Sequence, residues 1–190
     1  MPVLIAMCGL PFAGKSVLAG ALSRELRIRV LSYDSEIYPV HSRLAPPGSS
    51  VAAEHDFVQN IARREIGAIL ASGESLIYDD LLLERGERRK LAAVAEAHWA
   101  GLVLVYLDTP LSVIDERRAA NSRTRARTSI PEADMRLDIS LIEPPDEAER
   151  AIYVSPDDVL PEVLAKVSAR LAKLAAHPLI SPITWNTLTG

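Results

Sequence analysis

Five short runs rich in Val, Ile and Leu, at residues 3–8, 28–33, 75–79, 102–107 and 151–154, interrupt an otherwise mixed pattern of apolar and polar positions. Runs this short and continuous suit strands covered on both faces, where neither side can be polar. Between them, apolar residues recur at helical spacing after residue 16, from about 51 to 72 (Phe57, Ile61, Ile69) and from about 84 to 98. Strands alternating with amphipathic helices predict an α/β fold: a five-stranded parallel sheet with helices on both faces. Pro46, Pro47, Gly48 and two serines mark a loop, Gly73 stops the second long helix, and a last helix falls near 157–176. Residues 177–190, HPLISPITWNTLTG, have two prolines and no period. They read as an extended segment packing Trp185 on the body, or as one without fixed structure. The expectation is one domain over 1–176 with a tail at 177–190.

With 190 residues, 48% of them hydrophobic, the chain can build one sizeable core. Its formal net charge of −4 offers no global positive field for a nucleic-acid backbone or an anionic membrane, so a polyanion must be held locally. The single cysteine, Cys8, sits inside an apolar run and has no partner for an internal disulfide. The start, MPVLIAMCGL, carries no basic leader, and its apolar stretch is too short to span a bilayer. A cytoplasmic protein with no membrane attachment is expected.

The first strand runs into GLPFAGKS, which fits Gly, four residues, Gly, Lys, Ser, and a helix follows at once. Glycines let the backbone curl until successive N–H groups point at phosphate oxygens, and the helix beginning beside Lys15 adds its positive end. Gly9, Leu10, Pro11, Phe12, Ala13, Gly14, Lys15, Ser16 and Val17 are therefore the expected cradle for the phosphates of ATP. Lys15 would bridge the terminal phosphates, and Ser16 would be a ligand of Mg²⁺. Phe12 departs from the many loops that have another glycine there. A carboxylate is also needed at the end of a neighbouring strand, where open parallel sheets bind ligands, and LIYDD supplies Asp79 and Asp80. Asp79 is the candidate for holding Mg²⁺ through water. Asp80 would face substrate or cap the next segment.

In this order, GLPFAGKS, LSYDSE, LIYDDLLLERGERR, VYLDTPLSVIDERR and EPPDEAE resemble the kinase-like P-loop family of AAA-domain ATPases, relatives of polynucleotide kinase, zeta toxin and chloramphenicol phosphotransferase. The likeness runs from about residue 3 to 155. It implies a nucleoside-monophosphate-kinase-like fold and ATP-dependent phosphoryl transfer to a hydroxyl. It does not name the acceptor, because function lives in the site rather than the fold.

Asp34, just past the second strand, matches an aspartate that contacts the acceptor hydroxyl in similar kinases, where a carboxylate can take the proton as oxygen attacks phosphorus. Its alternative is to cap a short helix through Glu36 and Ile37. Glu36, Tyr38, His41 and His55 are candidates for the acceptor pocket. The segment ERRAANSRTRAR holds Arg117, Arg118, Arg123, Arg125 and Arg127, where similar kinases place a mobile lid, here about 117–140. Arg117 and Arg123 are the candidates to spread over the transferring phosphoryl group. The resemblance also brings Arg88 to the substrate, and sets the loop after the fifth strand beside the adenine ring. The leading expectation is a kinase for a hydroxyl-bearing metabolite, nucleotide sugar or antibiotic. A polynucleotide-end kinase, or a nucleotide-dependent switch acting through a partner, are the alternatives. The acidic balance and the lack of aromatic residues among the arginines weigh against nucleic acid.

Overall fold

The computed structural model describes residues 1–125 and 128–176; Arg127 and Trp185 lie outside them. Five strands, β1 (Val3–Cys8), β2 (Arg29–Ser32), β3 (Leu76–Asp79), β4 (Gly101–Leu107) and β5 (Ile152–Val154), form one parallel sheet in the order β2-β3-β1-β4-β5. Each coincides with one of the apolar runs to within a residue or two. The helices are α1 (Lys15–Leu26), α2 (Tyr38–His41), α3 (Val51–Ala71), α4 (Arg85–Ala97), α5 (Leu111–Thr124), α6 (Glu132–Leu141) and α7 (Leu160–Ala176).

Alternation along the strands divides the core in two. Leu4, Ala6 and Cys8 of β1 face α3 and α4, packing with Val58, Ile66 and Leu91. Ile5 and Met7 face the other way, against Ala19 and Leu22 of α1 and Val163 and Val167 of α7. The sheet is thus covered on both sides, which is why its strands read as continuous apolar runs. Cys8 is fully buried, its Sγ donates to Leu82 O at 3.1 Å, and burial pushes its thiol up to about 12. It is an inert core residue.

Ser50 caps α3, its hydroxyl accepting from Ala53 N at 3.2 Å, and Gly73 at φ 86 takes the left-handed turn that follows the helix. A third small cluster joins Leu10 and Phe12 to Leu83, Ile114 of α5 and Met135 of α6. It holds the two lid helices over the strand ends where β1 gives way to Gly9. β1 lies centrally, with β3 on one side and β4 on the other, so the crevice outside its carboxyl end is where a ligand of such a sheet binds.

Candidate active site

Gly9 leaves β1 at φ 140, and a Cβ there would lie 2.9 Å from Leu107 O, so no other residue fits. Its N–H donates to Leu81 O at 3.0 Å, tying the loop to the segment after β3. Gly14, at φ 108, is the residue before α1. Phe12 also sits in the left-handed region, at φ 62, although it carries a side chain. That conformation costs about 1–2 kcal/mol. Its ring offsets the cost by burying itself against Ile114 and Met135. The missing glycine is therefore replaced by a strained aromatic residue that anchors the loop to the lid.

Lys15 is 8% exposed, and its Nζ donates to Gly9 O at 2.9 Å and Leu10 O at 2.8 Å. Burial lowers its pKa, while Asp79, Asp80 and Asp34 pull it back up. The charges of three carboxylates, from the ends of β2 and β3, thus bear on the lysine of the loop. Ser16 follows in the exposed first turn of α1. Asp79 ends β3 opposite Ser32 of β2 and is 7% exposed. No group of three or more His, Cys, Asp or Glu forms a metal cage among the described residues. One carboxylate and one hydroxyl beside a phosphate loop are nevertheless the hard oxygen donors that suit Mg²⁺, which keeps several waters and takes its other ligands from phosphates.

Asp80 is fixed by three donors. Its Oδ2 accepts from Gln59 Nε2 at 2.9 Å and Tyr78 OH at 3.0 Å, and its Oδ1 accepts from Leu81 N at 2.7 Å. It holds the turn after β3 and fastens α3 to it, the capping role rather than the substrate-facing one. Gln59 was not anticipated; a polar residue on the apolar face of an amphipathic helix, beside Val58 and in line with Ala62 and Ile66, was its signal.

Asp34 lies in a turn of π-helix, Tyr33–Ile37, directly after β2. The cap of that turn is Ser32, whose Oγ accepts from Ser35 N at 3.4 Å while its own N–H donates to Glu36 Oε1 at 3.0 Å. Asp34 is thus not the cap. Its charge instead bears on Lys15, Tyr33 and Asp138. The other pocket candidates divide. Tyr38 OH donates to Glu54 at 2.6 Å and His41 Nε2 lies 2.8 Å from Glu65, so both are committed to α3. His55 packs edge-on to Tyr33 with ring centroids 5.4 Å apart. The hydroxyl of Tyr33 is buried with no hydrogen-bond partner among the described residues.

Asp138 of α6 was not anticipated. Burial raises it to about 6, Lys15 opposes the shift, and Asp134 and Asp34 reinforce it. It stands one turn beyond Met135, on the side of α6 that packs toward the loop. Its only sequence signal was an acid set among Leu137, Ile139 and Leu141.

Two arginines correct the expectations. Arg117, expected over the transferring group, donates from Nη1 to Phe12 O at 2.9 Å and Ala13 O at 2.7 Å, so it grips the backbone of the loop. Arg88, expected at the substrate, is 3% exposed and turned into the fold. It makes a two-pronged pair with Glu149 at 2.6 and 3.0 Å and donates to Leu82 O and Leu83 O. Buried without those partners, its charge could not be sustained. Arg118 joins α5 to α6 through Glu132 at 2.8 Å. Arg123 is exposed in the last turn of α5, with no partner among the described residues. Beside Gly14 opens a cleft of about 650 Å³, lined by Leu18, Arg117, Asn121, Thr124, Ser155 and Pro156.

Solved structures share this fold. The chain resembles the APS kinase of Mycobacterium tuberculosis in complex with AMPPNP and APS, at 20% identity and a TM-score of 0.66, over 90% of this chain and 98% of that one. It also resembles a gluconokinase from Sinorhizobium meliloti, at 24% identity and 0.65, over 92% and 94% of the two chains. Kti12 of Chaetomium thermophilum in complex with ADP-AlF3 superimposes at 17% identity and 0.71, over 88% and 98%. A comparison with curated proteins finds no match. A family model described as an AAA domain matches residues 4–145, which include the phosphate loop, the acidic end of β3 and both lid helices. A glycine-bounded loop with a buried lysine, set at the central strand of a five-stranded parallel sheet, is the structure of that match, and the chain belongs to this AAA-domain family with a kinase-like P-loop fold.

Proposed function

We propose that the protein transfers the γ-phosphoryl group of ATP to a hydroxyl of a small molecule. The observation that carries this reading is Asp34: it follows β2 directly, its charge bears on Lys15, and the turn it belongs to is capped by Ser32. A carboxylate just past the end of that strand can accept or orient the proton of an attacking hydroxyl. A switch acting through a partner has no use for one there. The loop backbone from Gly9 to Ser16 binds the phosphates, and Lys15 leaves its carbonyl partners for phosphate oxygens. The adenine ring enters the cleft between Arg117 and Ser155, and a space of about 650 Å³ accommodates a nucleoside. Ser16 and Asp79 would hold Mg²⁺, which when bound neutralises charge on the phosphates. Arg123 is the lid cation that meets charge on the transferring group. Catalysis is then mostly positioning and charge stabilisation.

The test is a screen of hydroxyl-bearing metabolites, nucleotide sugars and antibiotics with labelled ATP, followed by single-turnover transfer to the acceptor found. Asp34→Asn should lower the transfer rate about a hundredfold to ten-thousandfold while ATP affinity and folding survive. Transfer at the wild-type rate would remove Asp34 as the base. Nucleotide hydrolysis with no acceptor in the whole screen would favour the switch.

A further inference from the structure

A second cleft, about 950 Å³ and larger than the one beside Gly14, does not belong to the phosphate loop. It lies on the opposite face of the sheet, between α4, the turn Glu147–Glu149 and the end of α7. Its floor is apolar: Leu102 and Leu104, alternate residues of β4 that share a face, and Leu174 of α7. Its walls are cationic. Two of the arginines are answered, Arg85 by Asp146 at 2.6 Å and Arg88 by Glu149 at 2.6 Å. Arg89, Arg150 and Arg170 also line it, and their guanidiniums make no hydrogen bond or ion pair among the described residues.

Three unanswered guanidiniums around one concavity repel one another, in a chain whose net charge is −4. An anion removes that repulsion, and the planar fork of arginine matches phosphate oxygens in pairs. A second copy of the chain docked face to face would present the same positive wall, and residues 177–190 carry no acidic side chain. Neither supplies the missing charge. A cavity of this volume is in the range of small-molecule sites. We propose that it is a second ligand site, distinct from the nucleotide cleft, for a small organic phosphate. The apolar body lies on Leu102, Leu104 and Leu174, and Arg89, Arg150 and Arg170 grip the phosphate.

The test is calorimetric titration of the full chain with 1-naphthyl phosphate, with and without saturating Mg·AMPPNP, and with neutral 1-naphthol as the control. One equivalent of naphthyl phosphate should bind in both conditions, about tenfold or more tighter than naphthol. The double variant Arg89→Gln, Arg170→Gln should lose about the same factor with its thermal midpoint unchanged. If that variant unfolds, Arg150→Gln alone carries the same expectation. Binding that vanishes with AMPPNP would put the probe in the phosphate loop and overturn the proposal. So would equal binding of naphthol, indifference to the substitutions, or no binding at all. Failure of the nucleotide reading shows separately, as an absence of AMPPNP binding.

Discussion

Phe12 concentrates the conflict between local and tertiary preference into one residue. Its φ of 62 favours glycine, yet its ring belongs to the cluster that holds α5 and α6. Replacement by alanine loses the ring and keeps the strain; replacement by glycine loses the ring and relieves it. Both variants should be destabilised by a few kcal/mol, as buried phenylalanines are. Phe12→Gly should nevertheless be about 1 kcal/mol more stable than Phe12→Ala, the reverse of their order in an ordinary element. Urea denaturation of the two decides it, and alanine as the better substitute would mean the loop is not held in this conformation. Arg88 and Arg117 make the same point for charge. Both were legible as cations near the site, but their partners are a carboxylate 61 residues away and two carbonyls about a hundred residues away, which no local pattern encodes.

At the scale of elements, the lid is the least legible part. Its stretch was expected at about 117–140, and it resolves into α5 and α6, joined by Arg118 to Glu132. The face that α6 turns to the loop carries Asp138 one turn beyond Met135. A carboxyl raised from 3.8 to about 6 opposes folding wherever it is ionised in both states. The penalty is full above about pH 6, shrinks as pH falls toward 4, and is absent below both values. Asp138→Asn should therefore stabilise the protein at pH 8 and leave it unchanged at pH 4. Because the group is half-exposed and screened by water, the gain is about 1 kcal/mol, or roughly 2–4 °C in a chain of this size. Scanning calorimetry across that range checks it. An equal effect at both pH values would mean the carboxyl is not desolvated by the lid.

For the whole molecule, the sheet order sets the outcome, because it brings the ends of β1, β2 and β3 to one edge, where the charges of Asp34 and Asp79 bear on Lys15. A ligand bound there by the native state alone stabilises it by mass action, about 2.7 kcal/mol at a hundredfold excess over Kd. Mg·ATP should raise the thermal midpoint by roughly 5–10 °C. Lys15→Ala should lose most of that shift, whatever it does to the midpoint without nucleotide, since the lysine is itself buried at a desolvation cost. An unchanged wild-type midpoint at millimolar Mg·ATP would contradict nucleotide binding at this loop. No helix among the described residues is long and apolar enough to cross a membrane.

The sequence by itself determined the strands, the principal helices and the phosphate loop, because each rests on short-range rules. Burial on both faces demands continuous apolar runs, helices demand a period of 3.6, and a loop that cradles phosphate demands glycines at fixed offsets. It also put Asp34 and Asp79 at strand ends, because a strand end is a position in sequence as well as in space. Only the tertiary structure decided what the remaining charged groups do. Asp80 is held by Gln59, Arg88 by Glu149, Arg117 by the loop, and Asp138 is half-buried on α6. The physical reason is that a charge acts on whatever lies within a few ångströms of it, and those neighbours are assembled by packing from segments that local periodicity cannot relate.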